Sequence, residues 1–178
     1  MVYIFLAEGF EEIEALTAVD ILRRAGVAVT TVGVGGEYVT GSHNITVKAD
    51  IEDKNAAPEN IDMVVLPGGM PGTLNLEKSE TVNLFVDKAA EADAYIAAIC
   101  AAPSILGKKG LLAGKWATCY PGFEEYLKDA VIEDCDVTVC ENVICGRAMG
   151  CAVDFALELV EALTDKETSD KICDSILA

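Results

Sequence analysis

Residues 94–103 read Ala94-Tyr95-Ile96-Ala97-Ala98-Ile99-Cys100-Ala101-Ala102-Pro103. The run 94–100 is apolar without alternation, the mark of a strand buried on both faces. Pro103 suits the first turn of a helix, so a helix begins near it, directly after Cys100. A strand running straight into a helix is part of a βαβ unit. The chain on either side repeats the theme. Residues 2–6 and 61–67 (VYIFL, IDMVVLP) are further buried strands, and 27–34 (VAVTTVGV) is β-branched and strand-like. A helix reads from about Glu11 to Ala25 and stops at Gly26. Gly35, Gly36 and Gly41 punctuate a hairpin through 37–48, and GGMPG after Pro67 reads as a loop. Residues 79–92 are helical, 115–119 (KWATC) a short strand, and DVTVC and VICG two strands split by Glu141-Asn142. An amphipathic helix over about 150–163 and a last one over about 167–176 complete the order. Strands interleaved with helices imply a mostly parallel sheet with helices on both faces, and one domain over 1–178.

Composition limits the function. With 178 residues and 52% of them hydrophobic, the chain can bury one core. No apolar run reaches the ~18 residues of a membrane span, and the first residues carry no basic leader. A formal net charge of −17 predicts no nucleic-acid partner and no anionic membrane surface. Seven cysteines and a single histidine, His43, form no CxxC pair, so no metal is expected. Reduced thiols and a cytoplasmic location are the simplest expectation.

In open parallel sheets, ligands bind beyond the carboxyl ends of the strands. Three features gather there. The first is Cys100, which ends a strand and starts a helix, with small residues two before (Ala98) and two after (Ala102). A nucleophile elbow needs such neighbours, and helix-start amides would favour a thiolate. A buried structural cysteine is the competing reading. The second is Leu66-Pro67-Gly68-Gly69, which exposes amides over the sheet as half of an oxyanion hole, completed beside Cys100 at Ala101. A plain glycine turn looks the same. The third is Glu14. At about 100° per residue it shares an arc with Ala15, Ala18, Val19, Ile21, Leu22 and Ala25, opposite Glu12, Asp20, Arg23 and Arg24. Burial would keep its carboxyl protonated and able to donate to a thiolate, unless it bonds backbone or stays half-exposed at the helix start. Ile13 and Leu16 fall among the charged residues, which a homodimer contact or a loop would cover.

On these residues the chain resembles the ThiJ/PfpI family, and within it the subgroup containing the parkinsonism-associated protein deglycase. Four ordered motifs carry the likeness over nearly the whole chain: EGFEEIEALTAVDILRRAG, VVLPGGMPGTLNL, AAICAAPSILGKKGLLAGKWAT and GRAMGCAVDFALELVEAL. The resemblance implies a flavodoxin-like three-layer α/β/α sandwich, similar to class I glutamine amidotransferases, in a homodimer without a cofactor. It implies that Cys100 is the reactive cysteine, Glu14 its hydrogen-bonded partner, and Gly68–Gly69 the nearby donors. Activities in the family include work on methylglyoxal and other reactive carbonyls, and other members are chaperones, redox sensors or proteases. Two departures matter. Ala101 stands where protease-like members have a histidine, which argues against a peptidase. Tyr120 stands where deglycase-like members often have one.

The leading expectation is a cysteine-dependent activity on small carbonyl substrates. The rivals are a peroxide sensor that oxidises Cys100 to a sulfinate, and a stress chaperone. Cys119 is weighed as a resolving thiol against a chance loop cysteine. Arg147 is weighed as an anion-binding group against a structural ion pair. Trp116 is expected in the core.

Overall fold

The computed structural model describes residues 1–178. In chain order the elements are β1 (Val2–Leu6), α1 (Glu12–Arg24), β2 (Val29–Gly33), β3 (Tyr38–Thr40), β4 (Thr46–Lys48), β5 (Ile51–Glu52), β6 (Met63–Leu66), α2 (Gly72–Lys78), α3 (Glu80–Glu91), β7 (Tyr95–Ile99) and α4 (Pro103–Lys108). They are followed by β8 (Trp116–Ala117), β9 (Val131–Ile132), β10 (Val137–Cys140), β11 (Val143–Gly146), α5 (Ala152–Leu163) and α6 (Lys166–Ile176). Seven strands form one sheet in the order β10-β11-β7-β6-β1-β2-β5. All neighbours in it run parallel except the β10–β11 hairpin. This is the flavodoxin-like α/β sandwich.

The uninterrupted apolar runs follow from two-sided burial. Side chains alternate across a strand, so Val2, Ile4 and Leu6 of β1 enter one core while Tyr3 and Phe5 enter the other. Strands β6 and β7 divide in the same way: Val65 and Ile99 go with the first set, Leu66 and Ala98 with the second. The first core is closed by α1 and α5, through Ala18, Leu22, Phe155 and Leu159. The second is closed by α3 and α4, through Phe85, Val86, Ile105 and Leu106. Fully burying each large side chain contributes about 1.5–3 kcal/mol. Helix α1 ends at Arg24, and Gly26 just beyond it takes a φ of +75°, which is open to glycine at little cost. No helix is long and apolar enough to cross a membrane.

Several local expectations are corrected. GGMPG is not all loop, because Gly72 opens α2. Strands β5 and β9 were not foreseen; each has two residues, too few for a pattern to register. Only Trp116–Ala117 of the KWATC segment is strand, and it pairs with β9 outside the main sheet. That small ribbon has an outer face in water, so Trp116 is 58% exposed and lies outside the core. Glu12 does not point to solvent. The turn between β3 and β4 folds over the first turn of α1 and buries it.

Candidate functional site

Cys100 stands at the carboxyl end of β7 with φ at +64°, a left-handed conformation that costs a non-glycine residue roughly 1–3 kcal/mol. The surroundings hold it there. Its amide donates to the Gly146 carbonyl at the end of β11 (2.9 Å), and its own carbonyl accepts the amide of Tyr120 (2.8 Å). Helix α4 follows within three residues. The small neighbours Ala98, Ala101 and Ala102 are buried, as the tight turn demands.

Glu14 reaches this point from α1. It is 1% exposed, and Oε2 accepts the amide of Gly68 at 2.7 Å. Oε1 is buried without a conventional hydrogen-bond partner, and the Cys100 thiol is the polar group beside the carboxyl. Gly68 wedges between the two: a Cβ built on it would lie 2.6 Å from Cys100 Cβ and 2.8 Å from Glu14 Oε2. Its amide is therefore committed to Glu14. This corrects the expected pair of donors at the sulfur. The amides that face Sγ belong to Gly69 and Ala101.

Burial pushes the Glu14 carboxyl up to about 7, against a smaller opposing effect of the Gly68 amide. The Cys100 thiol is pushed up to about 12, first by burial and then by the negative charge of Glu14, while the Gly69 and Ala101 amides act the other way. The expected lowering of the thiol by a helix end is not found, because burial outweighs the Gly69 and Ala101 amides. The two groups titrate as a pair. The part of the thiol's rise that comes from Glu14 belongs to an ionised Glu14. While the carboxyl keeps its proton, that charge is absent.

The remaining candidates separate. Tyr120 sits against the elbow through its amide and is 47% exposed as a residue. Cys119 turns inward, 5% exposed. Burial and Glu124 push its thiol up to about 11, partly offset by Arg147. Arg147 forms an ion pair with Asp134, and both border a small hollow with Cys119 and Glu124. His43 is not placed with Cys100 by any contact; its Nδ1 bonds Glu12 Oε2 at 2.9 Å.

The Glu12 cluster was invisible in the sequence, since a helical wheel says nothing of a loop that folds over the helix. Glu12 accepts the amides of His43 (2.8 Å) and Ile45 (3.4 Å). Burial alone would raise its carboxyl, but the hydrogen bonds from His43 and Ile45 hold it at about 2. Glu11 Oε2 and Ser42 Oγ join the cluster at 3.2 Å. The only local signals are the paired acids at 11–12 and Gly41, whose bare Cα lets the turn lie against the Glu12 carboxyl.

A strained cysteine over the carboxyl end of a parallel sheet, with a buried carboxyl from the first helix beside it, defines a class of flavodoxin-like proteins with a cysteine elbow. Residues 1–162 match the model of the DJ-1/PfpI family, and the chain belongs to that family. Protein dj-1beta of Drosophila melanogaster is 37% identical over 177 residues, 98% of this chain and 95% of that protein. The glutathione-independent glyoxalase DJR-1.2 of Caenorhabditis elegans is 28% identical over 167 residues, 93% of this chain and 89% of that protein. The solved structure of oxidized Toxoplasma gondii DJ-1 superposes with a TM-score of 0.95 at 34% identity, covering 99% of this chain and 97% of that one.

Proposed function

We propose that this protein is a cofactor-independent enzyme acting on small reactive carbonyls or their adducts, in the manner of a glyoxalase or deglycase, with Cys100 as nucleophile and Glu14 as proton partner. One observation carries the reading: a cysteine held at φ +64° beside a buried carboxyl that has one oxygen tied to Gly68 and the other left unpaired. The likeness to a glutathione-independent glyoxalase supports the choice of substrate class.

With a 2-oxoaldehyde the chemistry balances without a further reagent. The sulfur bonds to the aldehyde carbon while the proton shared by the pair passes from Glu14 to the aldehyde oxygen. The Gly69 and Ala101 amides, which face the sulfur, lie close to the developing oxyanion. Glu14 then removes the hydrogen on the former aldehyde carbon as a proton and delivers it to the neighbouring carbonyl carbon, while the hydroxyl proton on the first carbon passes to the oxygen of that neighbouring carbonyl, leaving a thioester with a hydroxyl beside it. Water cleaves the thioester to a 2-hydroxy acid and restores the thiol. Methylglyoxal consumption by wild type, Cys100→Ala and Glu14→Gln tests the proposal. Loss of turnover in Cys100→Ala and a steep fall in Glu14→Gln are expected; equal rates in all three would overturn it.

A second reading is a peroxide sensor, in which Cys100 becomes a sulfinate. The unpaired Glu14 Oε1 favours it, because a protonated oxygen there would donate to a sulfinate oxygen. The relative solved in an oxidized form supports it. Intact mass after mild peroxide separates the readings: gain of two oxygens on Cys100 in a protein that consumes no carbonyl substrate would establish the sensor. All seven cysteines are free, which suits a reducing compartment such as the cytoplasm.

The proposal includes a homodimer through α1. Ile13 is 49% and Ile45 53% exposed, and with Leu16 and Val153 they border a shallow apolar hollow of about 550 Å³. Light scattering is expected to give twice the chain mass for wild type and a monomer for Ile13→Glu. A monomeric wild type would remove the dimer.

A further inference from the structure

The backbone groups that bond Cys100 or lie against its Cβ belong to residues with little side chain, while the rest of it packs on the first core. Gly68 lies against its Cβ, Gly146 accepts its amide, and Gly69 and Ala101 supply amides toward the sulfur. Two neighbours are exceptions. Glu14 is buried, with Oε2 spent on Gly68. The other is Tyr120, which the proposed chemistry does not use.

Tyr120 is fixed by backbone and free at its ring. Its amide donates to the Cys100 carbonyl at 2.8 Å, and its own carbonyl accepts the amide of Phe123 at 3.1 Å, closing a turn. Cys119, the residue before it, is buried, whereas Tyr120 is exposed while its amide is tied to the residue that carries the thiol. The ring lies edge-on to Phe123, with centroids 6.5 Å apart and planes at 78°, and Phe123 continues to Tyr126 at 6.0 Å. Phe123 is packed against the second core, which braces the row from behind. Glu124 and Glu125 follow it on the surface, so an anionic group approaching this side is repelled.

We infer that Tyr120 is the specificity-determining residue of the Cys100 site, an aromatic wall that favours carbonyl compounds bearing an uncharged aryl group over their alkyl counterparts. As a statement about turnover this rests on the proposed carbonyl chemistry. As a statement about the mouth of the site it does not.

Alkylation decides the second statement alone. N-phenylmaleimide and N-methylmaleimide are reacted with wild type, Tyr120→Leu and Tyr120→Phe, and modification of Cys100 is followed by peptide mass, so that the other thiols do not interfere. The phenyl-to-methyl rate ratio is referred to that of N-acetylcysteine. In wild type and Tyr120→Phe the ratio is expected to exceed the reference by roughly three- to tenfold, the size of one aromatic pair. Leucine keeps the apolar bulk without the π face, and Tyr120→Leu is expected near the reference. A wild-type ratio at the reference, or the same ratio in wild type and Tyr120→Leu, would overturn the inference. In turnover, the kcat/KM ratio of phenylglyoxal to methylglyoxal is expected to fall in Tyr120→Leu by the same factor. Should wild type consume neither aldehyde, the carbonyl chemistry fails, and the maleimide ratio still decides the wall.

Discussion

The amide of Gly68 donates to Glu14 Oε2 at 2.7 Å, across 54 residues of sequence, while Oε1 of that carboxyl is buried with no hydrogen-bond partner. A carboxylate with both oxygens bonded to amides would be a settled anion. One with a single amide, sealed from water, keeps its proton to a higher pH. The carboxyl proposed as proton partner of Cys100 is thus held by the backbone of a glycine.

The same closeness makes Gly68 irreplaceable. An added methyl would meet Cys100 Cβ at 2.6 Å and the Ile99 carbonyl at 3.0 Å, both parts of the strained turn. Gly68→Ala is expected to lose about 1–3 kcal/mol of stability, the usual size of overpacking, and to slow alkylation of Cys100. Denaturant melts and site-resolved alkylation check this. A variant with wild-type stability and wild-type Cys100 reactivity would show that the wedge has slack.

Glu14 makes stability depend on pH. Its folded carboxyl titrates near 7 because of burial, above its ordinary value of 4.5. The contribution is therefore fully present below pH 4.5 and is lost as pH rises through 7. Its size is on the order of 3 kcal/mol from a shift of that extent. Measured as the difference between wild type and Glu14→Gln, stability is expected to fall for wild type between pH 4.5 and 7. A flat difference across that window would place the carboxyl in a more polar setting than its burial indicates.

Backbone strain at Cys100 can be released by removing its Cβ. At φ +64° an alanine suffers the same clash as cysteine, whereas glycine does not. Cys100→Gly is expected to be more stable than Cys100→Ala by roughly 1 kcal/mol, reversing the usual order of the two residues in regular structure. Chemical denaturation of the two variants checks the order. An alanine variant equal to or above glycine would mean that the turn relaxes once the sulfur is gone.

Much of the architecture was legible because it depends on patterns close along the chain. The apolar runs at 2–6, 61–67 and 94–100 announced strands buried on both faces, and β1, β6 and β7 lie side by side at the centre of the sheet. Cys100 could be singled out because alanines two before and two after it, with Pro103, describe a tight strand-to-helix turn. Glu14 could be assigned to the inner face of α1 by helical period alone, and it is buried there.

Glu12 shows where that reasoning stops. Period alone turns it to water, yet the turn at 41–45, 31 residues away, brings His43 over it and makes it a buried, hydrogen-bonded anion. Trp116 fails in the opposite sense, since a large apolar residue on a strand is outside the core when its strand lies on a ribbon at the rim. Local sequence thus determined the long strands and helices and which residues could sit at the elbow, because periodicity and turn chemistry act within a few residues, while two-residue strands left no pattern. Only the tertiary structure decided that Gly68 serves Glu14, that Tyr120 rests on Cys100 and that the thiol rises instead of falling. Each of those depends on which distant groups share one small, poorly solvated volume.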